Sequence, residues 1–122
     1  MSERILGNIF VRTMFFEKKG QVVGGHTHNF DHVTLILTGA VRIKYRKEIN
    51  GTLVLQGERE FRAPSRMDGD SATEAMVVIK RDVHHEITAL EDNTHCWCVF
   101  AHRDPVTGEV VQAWNGWMAA AQ

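Results

Sequence analysis

The sequence lacks a charge excess, a long apolar run and a signal-peptide core. Its 122 residues carry a formal net charge of −1, which gives no electrostatic basis for binding nucleic acid or an anionic membrane. No apolar run approaches the roughly 18 residues that span a bilayer. The first eight residues, MSERILGN, contain no apolar stretch typical of a secretory signal. We therefore expect no nucleic acid partner, no membrane association and a cytoplasmic location.

Cysteine is also scarce, since the chain has only Cys96 and Cys98. They are two residues apart on a predicted strand, which is too close for an unstrained disulfide. We expect free thiols, as in a reducing cytosol. Cys96, Cys98 and Phe100 share one strand face, with Trp97 on the other. If the cysteine face lines the interior, Cys98 is either a buried inert thiol or a side chain near a metal cavity.

No segment shows a long helical period, and no repeat or low-complexity stretch occurs. At least eight short β-rich segments alternate with turn signals, which predicts an all-β sandwich or barrel. A length of 122 residues suits one domain over residues 1–122. Asn50-Gly51 predicts a type I′ hairpin, and the polar segment 58–70 is predicted to be a loop that covers a barrel mouth. The predicted strands span residues 9–17, 33–38, 41–46, 52–56, 75–79, 85–90, 95–101 and 109–114.

The sequence does contain a histidine cluster. His26, His28 and His32 are spaced by two and by four residues, and on one extended strand this spacing places all three on the same face. Gly24-Gly25 precedes the cluster, and the β-branched run from Val33 to Thr38 follows it, which favours a strand. Three imidazoles on one face are costly to bury without a function, but they are natural metal ligands.

The stretch from Gly20 to Gly39 also resembles the first motif of the cupin superfamily. That motif is a glycine, five residues, His-x-His, three or four residues, a glutamate, six residues and a glycine. Gly20, His26, His28 and Gly39 stand at the matching positions, and His32 stands where the glutamate usually lies.

The second cupin motif carries a further histidine after a Pro-x-Gly turn. The stretch from Ile79 to His85 resembles it, with His85 as the ligand. Lys80 and Asp82 replace the proline and the glycine, so the turn departs from the usual pattern. The resemblance covers roughly residues 9 to 102 and is nearest to small single-domain cupins with four histidine ligands, some of which bind manganese.

The resemblance implies a single cupin-type barrel, a double-stranded β-helix or jelly roll. It also implies that His26, His28, His32 and His85 bind one divalent transition metal, with iron or manganese favoured and nickel, copper or zinc as alternatives. Four neutral ligands leave two positions of an octahedral ion for a small-molecule ligand, substrate or oxygen.

Similar proteins include dioxygenases, isomerases, lyases and binding modules, so two functions stay open. One is an oxygenase-type enzyme that acts on a small metal-chelating substrate. The other is a non-catalytic metal-binding or small-molecule-binding module, alone or in a larger assembly. We assign no catalytic residue, because no side chain is a convincing general base.

Two other metal-site patterns fit the cluster less well. A helical zinc-protease motif needs a glutamate after His28, but an asparagine stands there. In the metallo-hydrolase pattern His-x-His-x-Asp-His, the pair Asp31-His32 falls one residue late. Surface histidines that bind no metal are the remaining alternative.

Several neighbouring side chains receive separate predictions. His84 and Asp31 each adjoin a predicted ligand and should point to the opposite face. Tyr45 and Glu86 are candidate proton-transfer groups, although a core phenol and an exposed carboxylate are the ordinary interpretations.

A homodimer is predicted from unusually apolar surfaces. Both faces of the strand from Ile9 to Phe16 are largely apolar, which is typical of a strand covered on both sides. The C-terminal segment adds Trp114 and Trp117, which we expect in a core or an interface. A chain this small has little core with which to bury both this strand and the aromatic C-terminal segment. Two-fold dimers are also the commonest assembly.

Overall fold

Nine β-strands make up the described part of the chain, which comprises residues 2–6, 8–28, 30–64, 75–104 and 106–110 of a computed structural model. These residues contain no helix, and so none that could cross a bilayer. The predicted all-β fold class is confirmed. The strands are β1 Ser2–Leu6, β2 Ile9–Phe16, β3 Val22–His26, β4 His32–Thr38, β5 Ala40–Ile49, β6 Thr52–Arg62, β7 Met76–Ile79, β8 His84–Ala89 and β9 Thr94–Ala101.

The strands form two antiparallel sheets. The five-stranded sheet has the order β1-β2-β9-β4-β7, and the four-stranded sheet has the order β3-β8-β5-β6. From β2 onward every connection passes from one sheet to the other, except the β5–β6 hairpin. This order is that of a jelly roll, in which two sheets enclose one core.

The core lies between the two sheets. Met14, Cys96 and Ile36 are in register across β2, β9 and β4, and each is at most 2 % exposed. Ile43 and Ile87 are paired on β5 and β8 in the other sheet and are equally buried. Burying one such isoleucine contributes roughly 1.5–3 kcal/mol to stability. In each strand these residues alternate with more exposed ones, as the period of two requires.

Strand β1 is not predicted by the sequence. It pairs with β2 along its whole length, from Ser2 opposite Thr13 to Leu6 opposite Ile9. An ion pair of 3.0 Å between Glu3 and Arg12 also joins the two strands. The segment is short and mixed in polarity, so it has no periodic signal of its own, and its pairing with β2 holds it in a strand.

The predicted loop at residues 58–70 is wrong for its first part, because β6 continues to Arg62. The reason is charge pairing across the hairpin. Glu58 lies opposite Lys44 and Glu60 lies opposite Arg42, and the Arg42–Glu60 ion pair measures 3.0 Å. Opposite charges in such positions stabilise a solvent-facing strand. Residues 65–70 lie outside the described residues.

The predicted turns have clear structural outcomes. Asn50 and Gly51 both have positive φ, 53° and 79°, so this hairpin prediction is confirmed. A bridge between Arg103 and Val110 closes the last predicted hairpin turn. The remainder of the predicted last strand, 111–114, lies outside the described residues, as do Trp114 and Trp117.

Candidate metal centre

The histidine stretch does not form one strand. β3 ends at His26 and β4 begins at His32, and these strands belong to different sheets. The prediction that His26, His28 and His32 share one strand face is therefore wrong. The chain passes from one sheet to the other between His26 and His32, so strand alternation does not relate their side chains. His28 lies in this passage, outside any strand.

The fold nevertheless brings three of the predicted ligands together. The candidate ligand nitrogens of His28, His32 and His85 all lie within 4.8 Å of one another. Their ring centroids are 5.1 Å apart for His28–His32 and His32–His85, and 5.7 Å for His28–His85. His32 and His85 are only 4 % and 1 % exposed, and His28 is half-buried. These three histidines could hold a metal ion.

The ring of His85 is oriented by the backbone. Its Nδ1 lies 3.2 Å from the carbonyl oxygen of Val83. A carbonyl oxygen can only accept a hydrogen bond, so Nδ1 carries the proton in this contact. Nε2 then keeps its lone pair. This is the tautomer that metal-binding histidines adopt when a backbone carbonyl fixes the other ring nitrogen.

The turn before His85 has an aspartate at its left-handed position. Asp82 stands at the position of the glycine in the second cupin motif and has a φ of 61°, a left-handed conformation that aspartate tolerates better than most residues. Its backbone N–H donates to the carbonyl of His28 at 2.7 Å. This hydrogen bond joins the turn that precedes His85 to the passage that carries His28.

Asp31 makes a second link between the same two segments. Its carboxylate accepts a hydrogen bond of 2.7 Å from the backbone N–H of Arg81, and Lys80 lies 3.6 Å away. The hydrogen bond from Arg81 is the main cause that lowers the pKa of Asp31 below its usual value, and the charge of Lys80 acts in the same direction. Asp31 is exposed and takes no part in the histidine cluster, as predicted.

His26 is placed by its backbone alone. It is the last residue of β3, and its Cα lies opposite that of His85 in the β3–β8 ladder. The side chain of His26 lies outside the described part of the structure. Its role as a fourth ligand stays a prediction.

Solved structures with similar folds were found by comparison. KdgF from Halomonas sp. is 16 % identical, with 86 % of this chain and 79 % of that chain covered and a TM-score of 0.59. A cupin superfamily protein from Desulfitobacterium hafniense is 14 % identical, with 78 % and 68 % covered and a TM-score of 0.50. The chain has a cupin fold. Oxalate oxidase in complex with glycolate is also similar, at 16 % identity and a TM-score of 0.60, with 80 % of this chain and 44 % of that chain covered.

Identities this low establish the cupin fold and nothing finer. No family model matches the sequence, and no curated protein is significantly similar to it.

The cysteines lie in the core between the two sheets. Both are buried and free. Burial raises the pKa of Cys96 to about 12. Burial also raises the pKa of Cys98, although a 3.4 Å contact with the Thr34 hydroxyl and the charge of Arg12 oppose the shift. Both thiols therefore stay protonated near neutral pH, which favours the inert interpretation.

The other predicted neighbours lie outside the histidine cluster. His84 is half-buried and its ring packs against Gly25, where an added Cβ would collide with it. The Cα of Glu86 lies opposite that of Lys44 on β5. Because Glu86 follows His85 in the strand, it belongs to the opposite face. The Cα of Tyr45 lies opposite that of His85, but its hydroxyl lies over Gly57, where a Cβ would approach it to 2.7 Å.

A cavity of about 470 Å³ opens beside the cluster and reaches His28. The Phe30 ring stacks on His28 at 4.9 Å, and the Phe100 ring lies 6.3 Å from His28 and 6.2 Å from His32. These rings give one side of the cluster an apolar cover. The sequence interpretation missed both phenylalanines, although Phe30 stands between two predicted ligands.

Proposed function

We propose that this chain is a metal-dependent cupin enzyme of the oxygenase type that acts on a small chelating substrate. One observation carries the proposal. His28, His32 and His85 converge within 4.8 Å in a largely buried position. The cavity of about 470 Å³ that reaches His28 supports a site that admits a small molecule.

The donor set fits a transition metal. All three grouped side chains are imidazoles, and no carboxylate belongs to the group among the described residues. Imidazole suits iron, copper, nickel and zinc, whereas calcium and magnesium require oxygen ligands. We propose His26 as the fourth ligand, because the cupin-like motif and its Cα register with His85 both support it.

The residues of the chain would divide the work at this site. When bound, the metal would supply Lewis-acid and redox chemistry toward a chelating substrate. The bond to the Val83 carbonyl would hold the His85 ring in one orientation. Phe30 and Phe100 would exclude water from the substrate. Glycolate, the substrate analogue seen in oxalate oxidase, is a hydroxy acid that can chelate a metal through two oxygens, which supports this substrate class.

A measurement of oxygen uptake tests the proposed enzyme activity. Protein reconstituted with iron or manganese should consume oxygen only when a chelator such as a hydroxy acid, a 1,3-dicarbonyl or a catechol is added. The physical reason is that the metal would activate a substrate only when that substrate is bound to it at the histidine cluster. An oxygen electrode measures the rate for each chelator.

His28→Ala is the control, because free metal alone oxidises catechols. We expect uptake in this variant to fall to the rate of free metal. Equal uptake by wild type and His28→Ala with iron, manganese, copper and nickel would remove the enzyme proposal. Chelator binding without oxygen uptake would instead support the second candidate, a non-catalytic binding module, which the same cavity and histidine cluster favour.

A further inference from the structure

The cavity beside the histidine cluster combines an aromatic wall with two arginines. The Phe10 ring stacks on the Phe100 ring with their centroids 4.6 Å apart, and the Phe30 ring is tilted by 40° against Phe100 at 4.7 Å. Arg12, from β2, and Arg103, which follows β9, border the same cavity. The three packed rings form an apolar wall that the ring of an aromatic ligand can contact. The arginines add positive charge at its edge.

Both guanidinium groups hold donors that no described residue accepts from. Arg103 donates from Nη1 to the carbonyl of Gly108 at 2.9 Å, and its guanidinium lies 4.8 Å over the Phe30 ring. Arg12 donates from Nη2 to Glu3 at 3.0 Å. The Nε atoms of both arginines are buried and have no hydrogen-bond partner among the described residues. Buried donors of this kind are costly unless an acceptor meets them.

Two carboxylates border the cavity as well, but neither blocks an anion. One oxygen of Asp104 accepts hydrogen bonds from the backbone of Val106 and Thr107, at 2.8 and 3.0 Å, within its own turn. Glu3 pairs with Arg12, but its side chain is 52 % exposed. An ion pair this exposed is weak, so a ligand carboxylate can take the place of Glu3.

Building on the proposed function, we propose that this cavity binds a small aromatic carboxylate as the ligand of the histidine site. The carboxylate contacts Arg12 and Arg103, and the ring lies on the phenylalanine wall. Arginine suits this role because its planar fork matches the two oxygens of a carboxylate. The volume of about 470 Å³ lies within the range of small-ligand sites. Arg12 is the one charged residue on the inward face of β2, which is the sequence signal for this role.

Calorimetric titration with benzoate tests the inference, on metal-loaded protein and on protein stripped with a chelator. We expect binding in both forms. Arg12→Gln and Arg103→Gln should each weaken it about tenfold or more, because each removes a charged hydrogen-bond donor. Glu3→Gln should tighten it about two- to fivefold, because a weak competitor for Arg12 is neutralised. Arg62→Gln, in an exposed ion pair with Glu91, is the matched control and should bind benzoate as the wild type does.

Three probes separate the parts of the proposal. Benzamide has the ring without the charge and acetate has the charge without the ring, so both should bind at least tenfold more weakly than benzoate. Equal binding of benzamide, equal binding of acetate or no binding of benzoate would overturn the inference. Binding only to the metal-loaded form, unchanged in both arginine variants, would overturn it and leave the metal function standing. Arginine-dependent binding by a protein that takes up no metal would support it while the proposed function fails. The Glu3→Gln gain tests the site without removing a packed side chain.

Discussion

At the scale of single residues, Gly39 shows why the cupin-like motif ends in glycine. It has a φ of 77°, and an added Cβ would lie 2.9 Å from the backbone Cα of Thr94 and closer still to its hydroxyl. Thr94 is fully buried and its hydroxyl bonds the carbonyl of Glu91 at 2.9 Å, so it has little room to move. Gly20 also has a positive φ, 93°, but the space around it is open.

Gly39→Ala should lower the free energy of unfolding by more than the about 1–3 kcal/mol expected for left-handed strain alone. The collision with Thr94 adds to that strain. Gly20→Ala is the matched control, because it introduces the strain without the collision. Urea titration of the two variants measures the difference. Equal losses of stability would contradict the crowding seen at Gly39.

Asp82 gives the converse prediction. Its left-handed backbone costs free energy that glycine does not incur, and its carboxylate contacts only the exposed side chain of Arg81 at 3.2 Å among the described residues. Asp82→Gly should therefore leave the protein as stable or raise the free energy of unfolding by up to about 1 kcal/mol. A loss of more than about 1 kcal/mol in the same urea assay would show that the carboxylate has a further role.

At the scale of elements, the site depends on two segments that lie far apart in sequence. The passage from β3 to β4 carries His28, and the turn before β8 precedes His85. The Asp82–His28 backbone hydrogen bond and the Asp31–Arg81 hydrogen bond join them. The spacing of the first three histidines predicted a metal site and the cupin resemblance added His85. Neither could show that the chain changes sheets between His26 and His32. Strand alternation is a local rule. The change of sheet is fixed by distant pairing, because β3 pairs with β8 in one sheet and β4 pairs with β7 and β9 in the other.

The lowered pKa of Asp31 gives this link a pH dependence. A carboxyl whose pKa is lower in the folded state stabilises that state at pH values above its unfolded pKa, which is near 3.8. This contribution is lost as the pH falls through the folded-state pKa. Asp31→Asn imitates the protonated carboxyl. It should be less stable than wild type at pH 6, and the difference should shrink below about pH 4. Thermal unfolding at several pH values measures this, and a difference that stays constant down to pH 2 would contradict it.

At the scale of the whole molecule, the outer face of the five-stranded sheet has no ordinary solvent-facing pattern. Val11, Val99, Val33 and Val78 are in register across β2, β9, β4 and β7. The adjacent row contains Trp97 and Met76, which are 39 % and 44 % exposed. Apolar faces this wide usually mark an interaction surface. The sequence predicted apolar residues on both faces of β2, but only the strand order shows that the outer apolar face extends across four strands.

We propose that a second copy of the chain covers this face, since both rows are uncharged on β2, β9, β4 and β7. The charged side chain in register with them, Arg4, lies on the edge strand β1. Light scattering at micromolar concentration should give twice the monomer mass of 13.8 kDa. Val78→Lys should yield monomers, because a lysine would be buried without a partner. Val54 is also an exposed strand valine, at 39 % against 55 % for Val78, but it belongs to the other sheet. Val54→Lys should remain dimeric. A monomeric wild type would contradict the proposal, and a monomeric Val54→Lys with a dimeric Val78→Lys would place the interface on the other sheet.

The metal content of single-histidine variants tests the central claim most directly. Protein purified without an affinity tag should contain one equivalent of a transition metal by elemental analysis. His28→Ala and His85→Ala should each retain less than about a tenth of an equivalent, because losing one imidazole from such a site weakens binding at least as much as losing a supporting group. His95→Ala is the control and should retain a full equivalent, since His95 packs edge-on against Phe15 away from the cluster. A full equivalent of metal in His85→Ala would contradict the account.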